Sequence, residues 1–344
     1  MPSTLLRYRS VSSLLLATTA ACSGNGEPTK PELEQDPPGF PNTPGQIIVD
    51  SFHSTALGTS KRYLIYLPPS YASTKTRRYP VAYFLHGATQ GEQTWVDDIQ
   101  IERALDSVIR TDSIEMIVVM PDGDISFYHT WVNPPTYESC LERGRIGLEP
   151  ATTYCVPQMR YDTYIADDLV KHIDEKYRTL RNKKNRGIAG LSMGGAGAVY
   201  LTLTRPEVFG AAASMSGGIL SLLNVGTPDN PVNATTIDQL RDFHGIFWID
   251  FSMLEQFGTN LNDWRKYDPT TIAAMVPVSA IAPLWFIVGR DDGPSLPGNR
   301  TIHNALTQRG VPHTYIETSG GHNFEFWSAH VGEAAGWLAR QIRP

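Results

Sequence analysis

Ser192 stands at the centre of Gly190-Leu191-Ser192-Met193-Gly194, inside "RGIAGLSMGGAGAVYLTL" (186–203). A serine hydroxyl is a weak nucleophile at its free pKa and attacks a carbonyl only when a base takes its proton. The G-x-S-x-G spacing answers a steric need. Such a serine sits on a sharp strand-to-helix turn, and glycines two residues to either side remove side chains that would collide there. An apolar run precedes Ser192 and a helix-like run rich in small residues follows it, the context that the turn requires. A phosphate-binding loop is the rival reading of a glycine cluster. No Gly-Lys-Ser/Thr follows, and residues 195–200 lack the third small residue of a dinucleotide loop. A serine on a bland turn stays open until its partners are found.

In α/β-hydrolases the partners follow the serine in the order acid, then histidine. "LWFIVGRDDG" supplies two acids, Asp291 and Asp292, just past a late apolar run. "HTYIETSGGHNFEFW" supplies His322 after two glycines that permit an exposed turn. His313 opens that run, His330 falls within the last helical pattern and His303 within the helix before it, so these read as structural or surface residues. In acyl transfer His322 would take the Ser192 proton and return it to the leaving group, and the aspartate would hold the imidazole tautomer. The oxyanion needs backbone N–H donors. Met193, next after the serine, is one candidate. Ala88, directly after "FLHG", is the other, with His86 orienting that loop.

These residues need a scaffold. From residue 46 onward short apolar runs alternate with helical patterns. "KRYLIYLPPSY" (61–71), "YPVAYFLHG" (79–87), "MIVVMPDG" (116–123), "GIAG", "FGAAASMSGG" (209–218), "LWFIVG" (284–289) and "HTYIET" (313–318) read as buried strands. Residues 95–112, 161–178 and 325–342 read as helices, as does "MGGAGAVYLTLTRP" (193–206), stopped by Pro206. Continuous apolar strands alternating with helices predict an α/β fold, a mostly parallel central sheet with helices on both faces. The stretch 219–280 has weak periodicity and many turn residues. It reads as an insertion over the end of the sheet, as does the region of about 132–160.

The chain of 344 residues is 41% hydrophobic and 19% charged, with a formal net charge of −6. No dense Lys/Arg block exists, which excludes the electrostatic footprint of a nucleic-acid binder. Residues 1–21 carry Arg7 and Arg9, an apolar stretch and then small residues, the layout of an export signal. The apolar part falls short of the ~20 residues that span a bilayer. "TAAC" (19–22) is similar to a bacterial lipoprotein box, in which Cys22 would be lipidated. Ordinary cleavage after Ala21 is the alternative. Both export the protein, and the membrane enters only through that anchor. Residues 22–45 are rich in Pro, Gly and acids with no apolar period, the composition of a flexible tether. Cys140 and Cys155 remain. In an exported chain their spacing invites a disulfide, worth ~3 kcal/mol in the chain-entropy model. No CxxC or HExxH spacing occurs, and neither a metal nor an organic cofactor is implied.

Taken in order, "YFLHGATQGEQTW", "VVMPDGDISFYHTW", "YIADDLVKHIDEKYRT", the Ser192 stretch, "FGTNLNDWRKYDPTT", "FIVGRDDG" and "GGHNFEFW" resemble the esterase D group of α/β-hydrolases. Feruloyl and acetylxylan esterases, S-formylglutathione hydrolases and mycolyltransferases are its members. The resemblance covers most of residues 60–342. It implies the α/β-hydrolase fold, a Ser192–Asp292–His322 triad with Asp291 in reserve, and oxyanion donors at Ala88 and Met193. With export, it implies an esterase acting on feruloyl or acetyl esters of plant polysaccharides. Phe127, Tyr128 and Trp131, with Trp95 and Trp327, would line an aromatic cleft or pack the core beside it. Two other readings are an acyltransferase with a sugar or lipid acceptor and a non-catalytic binding lipoprotein on the same scaffold.

Overall fold

Side chains along each central strand point alternately into two apolar layers, and that alternation builds the domain. The computed structural model describes residues 44–142, 151–219, 223, 225–227, 230, 232–246 and 249–344. The export signal, Cys22 and nearly all of the tether lie outside the described residues.

Eight strands form one sheet: β1 (Gln46–Ser54), β2 (Thr59–Leu67), β3 (Val81–Leu85), β4 (Ile117–Pro121), β5 (Arg186–Leu191), β6 (Ala211–Met215), β7 (Leu284–Gly289) and β8 (His313–Thr318). Their order is β1-β2-β4-β3-β5-β6-β7-β8. β2 runs antiparallel to both its neighbours, and every pair from β4 to β8 is parallel. The main helices are α1 (Ile101–Asp112), α2 (Met193–Thr204), α3 (Leu296–Gln308) and α4 (Phe324–Ile342). Val81, Tyr83 and Leu85 of β3 face one layer, which α2, α3 and the helical run 161–176 cover. Ala82 and Phe84 face the other, covered by α1 and α4. A fully buried Leu, Phe or Val contributes about 1.5–3 kcal/mol relative to exposure, so both layers hold the sheet.

Several details differ from the sequence pattern, β1 among them, since it is not one of the expected strands. The single helix expected over 95–112 is broken at Gln100, whose φ of 55° is left-handed. That turn lets both Trp95 and Ile101 reach the second layer. The helix expected over 161–178 contains a π-helical turn, Tyr164–Leu169, and ends at Lys176. The shift keeps Tyr164, Ile165 and Leu169 all buried. β8, expected to be buried, is half-buried throughout, because it is an edge strand with a neighbour on one side only.

Cys140 and Cys155 form a disulfide with a Cα–Cα distance of 5.7 Å. Within 219–280, short helices such as Ile237–His244 and Leu254–Phe257 gather around a small apolar cluster that includes Leu240, Met253, Phe257 and Trp264, while Pro269–Met275 packs on the first layer through Ile272 and Ala273. Asp268 caps Pro269–Met275 by accepting from the Thr270 and Thr271 N–H groups at 3.2 and 2.7 Å. Among the described residues no helix is long and apolar enough to cross a membrane.

Candidate active site

β5 is buried at every position and ends at Leu191, directly against the first turn of α2. Ser192 joins them with φ 52° and ψ −119°, a backbone conformation that L-residues rarely adopt. The surroundings hold it there. The Ser192 N–H donates to the Met215 carbonyl at 2.9 Å, and the Ser192 carbonyl accepts from Ala196 and Gly218 at 3.1 and 3.0 Å. The flanking glycines answer real crowding. A Cβ on Gly194 would lie 2.0 Å from the Leu85 carbonyl oxygen, and one on Gly190 would lie 2.3 Å from the Gly194 carbonyl.

β7 pairs with β8 up to Gly289 opposite Thr318, so the two loops that follow leave the sheet side by side. Asp291 and Gly320 lock them together, N–H to carbonyl, at 2.9 Å. The result is a continuous hydrogen-bonded chain. Ser192 Oγ lies 2.8 Å from His322 Nε2. His322 Nδ1 lies 3.0 and 3.1 Å from the two carboxylate oxygens of Asp292. Since a carboxylate accepts, Nδ1 carries the hydrogen and Nε2 presents its lone pair to the serine. Asp292 is fully buried and also accepts the Ser295 N–H at 3.0 Å. Asp291 is exposed, and the hydrogen bonds and ion pair of His322 Nδ1 go to Asp292 instead. Ser295 Oγ stands 3.3 Å from the same Nδ1, a neighbour that the sequence reading missed. Its position three residues after Asp292, where a capping carboxylate meets a backbone N–H, was the available signal.

The parallel register sets Leu85 opposite Gly190, so His86–Ala88 runs level with Leu191–Met193. The N–H groups of Ala88 and Met193 meet no acceptor among the described residues. His86 shapes this loop from below. Its Nδ1–H donates to the Gly87 carbonyl at 2.8 Å, and its Nε2 accepts from the Gly123 N–H at 2.8 Å. Both bonds require a neutral ring, and burial pushes the His86 pKa down.

Beneath Gly123 lies a buried ionic cluster that the sequence reading did not find. Lys61 Nζ sits 2.7 Å from Asp122 and 2.8 Å from Asp124, and Tyr161 donates to Asp124 at 2.7 Å. Burial opposes the charge of Lys61, but the two carboxylates hold its pKa above the ordinary lysine value. The period of β2 carried the signal, since Lys61 shares its face with the buried Tyr63 and Ile65.

The five aromatic residues read as cleft candidates separate. Phe127 lines a pocket of about 50 Å³ together with His129, Tyr200, Phe257, Trp264 and Tyr267. Ala196 and Gly218, which bond the Ser192 carbonyl, form its near wall. Tyr128 is fully buried, and its hydroxyl donates to the His86 carbonyl at 3.0 Å. Its ring occupies the space above Gly123 and Gly197, where a Cβ would fall 2.3 and 2.5 Å away. It is a wedge rather than a cleft wall. Trp95 is likewise buried in the second layer, edge-on to Phe84 at 5.3 Å, and does not reach the pocket. Trp327 is buried there too, edge-on to His322 at 4.9 Å, and supports the imidazole from behind. Trp131 is half-buried beside Tyr161, away from the pocket. Phe257 and Tyr267 come from the aperiodic stretch 219–280, where only the aromatic content of "EQFGTNLNDWRKYDP" hinted at them.

Comparison with known proteins agrees with the fold. The family model Esterase, described as "Putative esterase", matches residues 54–338. An endo-1,4-beta-xylanase/feruloyl esterase of Xylanibacter ruminicola is 32% identical over 181 residues, 51% of this chain and 22% of that protein. Esterase Rv1288 of Mycobacterium tuberculosis is 25% identical over 292 residues, 79% of this chain and 55% of that protein. The chain thus spans between 22% and 56% of the first three curated relatives it matches. A solved ferulic acid esterase shares the fold with a TM-score of 0.64 at 21% identity, over 87% of this chain and 99% of that one.

Proposed function

The chain belongs to the Esterase family, and from that premise we propose that it is an exported serine carboxylesterase working through an acyl-serine intermediate. The observation that carries the reading is the chain Ser192 Oγ–His322 Nε2, His322 Nδ1–Asp292, set on a strained strand-to-helix turn. His322 Nε2 accepts the serine proton as Oγ attacks the ester carbonyl, and the oxyanion is met by the N–H groups of Met193 and Ala88. The alcohol leaves with the proton from His322. Water then gives a proton to His322 as its oxygen attacks the acyl carbonyl, and His322 returns that proton to Ser192 Oγ as the acyl–Oγ bond breaks and the acid leaves. Asp292 holds the Nδ1–H tautomer and stabilises the imidazolium in both halves.

Feruloyl or acetyl esters of plant polysaccharides are the proposed substrates. The similarity to a xylanase/feruloyl esterase and the aromatic pocket beside Ser192 support an aryl acyl group. Export and lipidation of Cys22 are proposed from residues 1–22 alone. The test is a panel of p-nitrophenyl acetate, methyl ferulate and acetylated xylan, with products identified. Hydrolysis of the simple ester and of at least one of the others is expected. A folded protein inert toward all three contradicts the reading.

A further inference from the structure

We propose that His129 is a specificity-determining residue: its Nε2 accepts a hydrogen bond from a hydroxyl on an aryl acyl group seated in the pocket beside Ser192. The proposal rests on the serine esterase reading and names the acyl class for it.

His129 is 1% exposed and lines that pocket. Its Nδ1 lies 2.8 Å from the Thr130 carbonyl oxygen. A carbonyl only accepts, so Nδ1 carries the hydrogen and Nε2 is left as an acceptor. Nε2 is buried and meets no donor among the described residues. Leaving a buried acceptor unsatisfied is unfavourable, and buried polar side chains without partners are uncommon in native structures. Phe257 and Tyr267 both pack against the imidazole, at ring distances of 4.5 and 4.4 Å. Burial lowers the His129 pKa to about 4, so the ring is neutral at neutral pH and Nε2 stays an acceptor.

The pocket has the right course for such a ligand. Ser192, Ala196 and Tyr200 recur at four-residue spacing and share one face of α2. At 1.5 Å per residue, Ala196 lies ~6 Å and Tyr200 ~12 Å along the axis from Ser192. The pocket therefore runs from the ester position past small residues to a group of rings. Its free space of about 50 Å³ is several times the ~10–15 Å³ that one water needs. An acetyl group would end before the rings and leave Nε2 unmatched. An aryl acyl group carrying a hydroxyl at its far end would stack among Phe127, Tyr200 and Phe257 and satisfy it.

The experiment compares kcat/KM for methyl 4-hydroxycinnamate and methyl cinnamate, with p-nitrophenyl acetate as a simple ester. The wild-type protein is expected to prefer the hydroxylated ester by about tenfold or more, the value of one buried hydrogen bond and the penalty for leaving it unmade. In His129→Phe, which keeps a flat ring and removes the acceptor, that ratio is expected to fall to near one. A wild-type ratio near one overturns the proposal without any variant, so the test does not depend on the variant folding. A ratio unchanged in a folded His129→Phe overturns it as well. If the wild type cleaves the acetate but shows no preference, the pocket assignment alone fails. If it cleaves none of the three, the esterase reading falls and this one with it.

Discussion

Asp291 and Asp292 are neighbours in sequence and opposites in surroundings. Asp292 is fully buried with both oxygens on His322 Nδ1, while Asp291 is exposed. Chain order alone leaves both as the acid, because the turn after β7 decides which carboxylate faces inward. Asp292→Asn is expected to lower kcat by ~10³–10⁴ through loss of the correct imidazole tautomer, while Asp291→Asn stays within a few-fold. Steady-state kinetics on a p-nitrophenyl ester checks this, and the reverse ranking would contradict the assignment. His129 gives a second prediction. Its pKa is about 4 when folded, against 6.5 for the free side chain. Between these values the unfolded chain binds more protons, so the stabilisation is complete above pH ~6.5 and is lost as pH falls toward 4. The loss is on the order of 3 kcal/mol. Urea unfolding at pH 7.5 and 4.5 is expected to show a larger drop for the wild type than for His129→Phe. Equal drops would mean that this ring is not buried neutral.

The turn from β5 into α2 works because three backbones crowd together where side chains are absent. Gly194 passes so close to the Leu85 carbonyl that no Cβ fits. Gly194→Ala must push β3 away from α2, and with it the loop carrying Ala88. A stability loss of at least ~1–3 kcal/mol is expected, together with a fall in kcat for every ester. Calorimetry and kinetics read both, and a variant unchanged in each would show that this packing does not set the site. Elements of this kind were legible in the sequence. The apolar runs of β3 to β7, the glycines around Ser192 and the break before Pro206 carry local physical reasons. The left-handed Gln100 and the π-helical turn at Tyr164–Leu169 do not, because each follows from which side chains the two apolar layers admit. Lys61 lies between these cases. Alternation along β2 points it inward, but only the folded chain brings Asp122 and Asp124 to meet it.

At the scale of the whole molecule, the site joins loops at the C-terminal ends of β3, β5, β7 and β8, the expected place for chemistry on an open parallel sheet. Ser192 and His322 are 130 residues apart in sequence, and the sheet order brings them within 2.8 Å. The triad could be read from residue types and order because those follow the strands. The pocket could not, since Phe257 and Tyr267 belong to a stretch without periodicity whose path is set by packing. Ser192 is the residue on which the sheet, the loops and the pocket converge, so its reactivity is the central claim. A fluorophosphonate probe followed by intact-mass and peptide mass spectrometry measures it directly. One adduct is expected, on the peptide containing Ser192, and none in a folded Ser192→Ala. A folded wild-type protein that takes no adduct, or takes it on another residue, would contradict the account.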